Sequence, residues 1–210
     1  MEEAMGIVNF EGFLIAALFF IMTPGIDTLF VLNKSITGGF KAGRYASLGV
    51  NIGVLIHSLI AAFGVSLLVA QSEILLLAIK YVGGIYIIFL GIKKLIATSP
   101  LLSNISDTQV PTGKNTFISG LVTNSLNPKV ALFILAFFPQ FILPEALSNP
   151  IPMLVLGLTY ASIGILWYVS LSLFASQFAT KIVENPKMAK AINTIAGITF
   201  VFLGLQIIYA

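Results

Sequence analysis

The sequence predicts an all-α integral membrane protein of six transmembrane helices. They are arranged as two inverted three-helix repeats, with the first and fourth helices broken. Three observations carry this expectation. The 210 residues are 58% hydrophobic and only 9% charged, against about 25% charged in soluble domains. The mean hydropathy is +1.02, and apolar runs recur at the length of roughly 20 residues that crosses a bilayer. Two of those runs are interrupted by proline next to polar and ionisable residues, at Met22-Thr-Pro-Gly-Ile-Asp27 and Asn124-Ser-Leu-Asn-Pro-Lys129.

The spans read in order as 10–32, 47–70, 74–95, 116–143, 151–174 and 189–210. The first and fourth hold the proline breaks. Backbone freed from a helix finds no partner in lipid, so each break must face protein or a wet cavity. The second and third spans are separated only at Ser72-Glu73, the shortest connection. The Ser-, Thr-, Pro- and Asn-rich stretch 98–113 reads as an exposed cytoplasmic connector between a first repeat, 1–97, and a second, 114–210.

Charge orients these spans. Lys34, Lys41 and Arg44 follow the first span, Lys93, Lys94 and Lys114 the third, and Lys181, Lys187 and Lys190 the fifth. The alternate ends carry Glu2, Glu3, Glu11, Glu73 and Glu145, with Lys80 as the one basic residue nearby. The positive-inside rule puts the basic ends in the cytoplasm and both termini outside. The acidic start does not read as a cleavable signal. The net charge of +3 is spread in short clusters between apolar runs, which argues against nucleic-acid binding. The absence of cysteine excludes disulfides, thiol chemistry and Cys-ligated metal.

The halves resemble each other. Gly84, Ile85, Phe89, Leu90 and Gly91 in 79–96 match Gly197, Ile198, Phe202, Leu203 and Gly204 in 192–209, and Pro24 corresponds to Pro128. An odd number of spans per half requires the second half to be inverted. Inverted repeats with discontinuous helices place a transporter's binding site at the breaks. The glycines of these segments, with Gly43, Gly49, Gly53 and Gly83, are expected to let helices approach closely.

Ionisable residues inside a bilayer are costly and are functional candidates by default. Asp27 is the one carboxylate well inside a span and the candidate for binding a coupled proton; the competing reading is a capping carboxylate on the restarted helix. Lys129 is a fixed ammonium suited to a substrate carboxylate or to neutralising an internal acid. A uniform helical rise puts Asp27 roughly 10 Å deeper toward the cytoplasm than Lys129, so a direct pair is not assured. Thr23, Gly25, Asn124 and Asn127 beside the breaks are candidate substrate contacts, or else partners for freed backbone groups. His57 and Lys80 are held in reserve. The first suits a structural hydrogen bond, the second a side chain snorkelling to the headgroups. No second histidine builds a metal site, and no hydrolase, zinc-protease or phosphate-loop motif occurs, so an enzyme is not expected and no cofactor is implied.

Together these motifs resemble the LysE/RhtB family of amino-acid exporters, over almost the whole chain. The resemblance is carried by Thr23-Pro-Gly-Ile-Asp27, Gly38-Gly-Phe-Lys-Ala-Gly43, Gly49 and Gly53 running to His57, Lys80 to Gly91, Gly120 to Lys129, and Phe137-Phe-Pro-Gln-Phe141. Ile26 departs from the second proline usual in the family. The resemblance implies export of amino acids or close derivatives by proton antiport across a bacterial inner membrane, with Asp27 and Lys129 on the pathway. The implied partners are a small zwitterionic substrate, protons and the lipid bilayer; a homodimer is compatible with this. The alternative is an ion or metal transporter of the wider superfamily, which would need several oxygen ligands where the membrane holds Asp27 alone.

Overall fold

The computed structural model describes residues 6–71, 73–96, 113–183 and 186–209. Seven helices carry them: α1 Phe10–Met22, α2 Ile26–Gln71, α3 Glu73–Leu95, α4 Gly113–Ser125, α5 Pro128–Phe137, α6 Pro150–Val183 and α7 Pro186–Tyr209. Short 3₁₀ turns, Phe138–Phe141 and Pro144–Ala146, join α5 to α6. The Ser72 junction, Glu2, Glu3 and connector residues 98–112 lie outside the described residues, as do the side chains of Glu73, Lys181 and Lys187.

Among the described residues, three helices are long and apolar enough to cross a membrane, and a fourth span is formed if α4 and α5 are taken as one path bent by 54°. The protein is therefore an all-helical, multi-pass membrane protein. Its many exposed apolar side chains, such as Leu166, Phe202 and Ile85, are those that lipid would cover.

Both proline breaks are present. Pro24 has no N–H to continue α1, which stops at Met22; the chain restarts as α2 at Ile26. Pro128 ends α4 in the same way and occupies the first turn of α5, where a missing N–H costs nothing. Residues 33–46, left between the first two expected spans, are instead helical on both sides of Gly39. Gly39 alone is non-helical, with φ 69° and ψ −174°. A Cβ there would meet nothing within 4 Å, so the glycine serves its backbone conformation and not a close contact. The chain folds back at this point. Eight residues of straight helix span about 12 Å, yet a Cβ on Gly43 would touch the Ser35 hydroxyl.

The returning limb of α2 packs along α4 and α6, and α3 packs along α7. Glycines set these contacts. Gly53 faces Asn124, Gly49 faces the Phe117 carbonyl, and Gly157 faces Ser58. The α3–α7 seam is reciprocal: Gly84 meets the Gly204 carbonyl while Gly91 meets the Gly197 carbonyl. Residue numbers rise on one helix as they fall on the other, so α3 and α7 are antiparallel. By the same test the returning limb of α2 is parallel to α4 and antiparallel to α6.

This seam predicts a mutational result. A Cβ on Gly91 would lie 2.8 Å from the backbone at Gly197 and Val201. Gly91→Ala should therefore destabilise the detergent-purified protein by about 1–3 kcal/mol, because backbone cannot move aside as a flexible side chain can. Gly64→Ala is the control, since nothing lies within 4 Å of its Cβ position. Thermal unfolding should separate the two; equal melting temperatures would contradict the packing described.

Candidate functional site

The two breaks meet and exchange hydrogen bonds. Asp27, in the first turn of α2, is buried at 6% exposure. Its Oδ2 accepts from Asn124 Nδ2 at 2.9 Å and from Asn127 Nδ2 at 3.0 Å, both from the second break. In return the Lys129 ammonium of the second break donates to the Thr23 carbonyl of the first, at 3.3 Å. That carbonyl lies at the C-terminal end of α1, where a cation is favoured by the helix dipole. Asp27 and Lys129 attract each other through space, but their hydrogen bonds go elsewhere. A uniform rise does not hold across the breaks, because both are non-helical.

Each candidate residue has a defined place. The Thr23 hydroxyl donates to the Phe19 carbonyl at 2.8 Å, so it serves the local backbone. Gly25 lies beside the ammonium, where a Cβ would sit 3.0 Å from Lys129 Nζ. Asn127 caps α5 by accepting from the Lys129 N–H at 3.0 Å while its amide holds Asp27, so it does both jobs that its residue type allows. Asn124 is fully buried, and its Oδ1 has no partner among the described residues. Asp27 Oδ1 is likewise unpartnered. Lys80 sits half-buried on α3 and takes no part in the crossed breaks.

His57 joins the site through a backbone group. Pro128 lacks the N–H that would bond the Asn124 carbonyl in a continuous helix. The Asn127 N–H at 2.8 Å and His57 Nε2–H at 2.9 Å donate to it instead. His57→Ala should leave this carbonyl short of one donor and cost about 1–2 kcal/mol. His57→Gln should recover part of the loss in the same unfolding measurement. An unchanged melting temperature for His57→Ala would contradict this role.

Beside the crossed breaks lies a cavity of about 300 Å³, at the lower end of small-molecule pockets. Gly25, Asn127 and Lys129 form its floor. Leu29, Tyr86, Leu90 and Phe200 give it apolar walls, and Lys93 and Lys94 line it from the end of α3. Asp27 does not line it, but Asn127, which holds Asp27, does. Phe20 and Phe200 carry their rings 4.5 and 4.6 Å from the Lys129 ammonium, a cation–π cage that steadies the charge without neutralising it. The sequence offered no sign of this cage, since its aromatic members come from opposite ends of the chain. In the sequence the two α3 lysines signal only orientation.

A profile of the LysE type translocator family matches residues 18–210. The chain belongs to the LysE type translocator family. Leucine efflux proteins of Klebsiella pneumoniae and Salmonella typhimurium are each 33% identical to it, over 96% of this chain and 95% of theirs. An uncharacterized membrane protein of Bacillus subtilis, YrhP, is 32% identical over 90% of this chain and 93% of its own. No solved structure gives a significant match. Membership makes this LysE type translocator a multi-pass bacterial membrane protein and a transporter rather than an enzyme, and supports amino-acid export at the level of the family.

Proposed function

We propose that this translocator exports neutral, apolar amino acids such as leucine from the cytoplasm in exchange for protons. The observation that carries the reading is the crossed pair of breaks. One amide, Asn127, both lines the cavity and holds the buried carboxylate of Asp27. Protonating Asp27 removes a charged acceptor from that amide and a counter-charge from Lys129. The cap on α5 and the floor of the cavity then respond together, which links proton binding to substrate binding. The apolar walls suit an aliphatic side chain, and the Lys129 ammonium suits a carboxylate. Three lysines around one cavity repel cations, which disfavours the ion or metal alternative.

Six spans in two inverted repeats are part of this proposal. The reciprocal Gly84–Gly204 and Gly91–Gly197 contacts support it, because a two-fold axis relating Gly84 to Gly197 and Gly91 to Gly204 interchanges them. The relative directions of α2, α4, α6 and of α3, α7 fit the alternation that six spans demand. In this arrangement α1 with the first limb of α2 forms the first span, and α4 with α5 the fourth. The Gly39 turn and Lys93–Lys94 face the cytoplasm of an inner membrane, with both termini outside. Lys93 and Lys94 then place one end of the cavity on the side from which an exporter loads.

Counterflow in proteoliposomes loaded with mixed amino acids tests the function. Accumulation of labelled leucine is expected, with dependence on an imposed pH gradient in net-flux experiments. Exchange of a metal ion but no amino acid would overturn the reading.

A further inference from the structure

The end of the cavity away from the breaks is built around a cation with a poor partner. Tyr86, Leu90 and Lys94 are spaced four residues apart on α3 and line one face of the cavity. Lys94 therefore stands about 12 Å along the helix from Tyr86. Its ammonium donates to Asn193 Oδ1 of α7 at 3.4 Å. Charge-assisted bonds are typically about 2.7–2.9 Å, so a neutral amide oxygen at this distance leaves the charge unmatched. No described carboxylate lines the cavity. Lys94 and Lys129 line the same cavity, so two cations face one space. A lysine present only for the helix dipole or the headgroups would not need to turn into the cavity.

We propose that Lys94 is a second carboxylate-binding position, at the cavity mouth, where the carboxylate of an arriving amino acid displaces the Asn193 side-chain oxygen before moving inward to Lys129. The inference rests on the export reading and adds a loading step to it. Displacing Asn193 also loosens a contact between α3 and α7, so loading and movement of that seam are coupled. The site recognises the carboxylate and leaves the side chain to the apolar walls.

Initial rates of leucine uptake into everted membrane vesicles measure loading from the cytoplasmic face. Lys94→Met should raise the half-saturation concentration about tenfold, equivalent to about 1.4 kcal/mol. Asn193→Asp keeps the shape but supplies a permanent counter-charge, so it should raise the half-saturation concentration in the same direction even if Lys94→Met folds poorly. Leucinol, which lacks the carboxylate, should compete equally well in all three proteins. A half-saturation concentration unchanged in both variants, or a fall in maximal rate alone, would overturn the mouth site while leaving export intact. Absence of leucine uptake by the unaltered protein would overturn the export reading itself.

Discussion

Asp27→Asn should abolish export driven by a pH gradient while leaving leucine exchange in counterflow. The substitution is nearly isosteric. Its side-chain oxygen can still accept from Asn124 and Asn127, which now donate at 2.9 and 3.0 Å. What it removes is the ability to change charge. A transporter that cannot bind and release the proton can still shuttle substrate but has no means of using the gradient. Net uptake into everted vesicles should fall to the level of vesicles without the protein. Asp27→Ala should behave differently, because it orphans two buried amide donors, each costing about 1–3 kcal/mol. It should lose exchange as well through loss of structure. Gradient-driven uptake by Asp27→Asn at the rate of the unaltered protein would move the proton site away from Asp27, with His57 the next residue to test.

Lys129→Gln should destabilise the site, and part of the damage should be reversible. Lys129 is half-buried and bonds the Thr23 carbonyl, not Asp27, so its loss should cost about 1–3 kcal/mol, as for a hydrogen bond made by a charged group. Here the charge left behind is Asp27, which has no other cation so close in effect. The double variant Asp27→Asn with Lys129→Gln removes both charges and should recover part of the lost stability in thermal unfolding. It should not recover transport, since neither the proposed proton carrier nor the proposed carboxylate site remains. Lys129→Gln should also weaken leucine binding at every pH. A shift of the pH optimum alone would mean that Lys129 acts only by tuning Asp27. Additive losses in the double variant would show that the two charges do not sense each other.

The sequence was most legible where physics allowed few alternatives. Proline cannot continue a helix, so Pro24 and Pro128 marked both breaks, and the scarcity of charge marked the membrane. Asp27, Lys129 and His57 stood out because ionisable groups are rare in apolar runs. Partnership was much less legible. Nothing local in the chain says that Asn124 and Asn127 hold Asp27, or that Lys129 reaches back to the Thr23 carbonyl. Those contacts depend on how two separate breaks bend. Gly38 and Gly39 fall between the first two expected spans, among basic residues that only orient the chain. A single glycine with positive φ instead lets helix run up to the turn on both sides. Lys94 was read for the sign of its charge, and its direction into the cavity depends on the face of α3 that the glycine seam buries against α7.

In the proposed function, the cavity beside the crossed breaks is the substrate path from the cytoplasm. The chain contains no cysteine, so one introduced at Leu90, on the cavity wall, is a unique reporter. Leu90→Cys should react with a membrane-impermeant thiol reagent in everted vesicles and not in right-side-out vesicles, and leucine should slow the reaction while leucinol slows it less. Labelling from the outer face alone would reverse the orientation. Labelling from the cytoplasmic face that no amino acid slows would contradict the account.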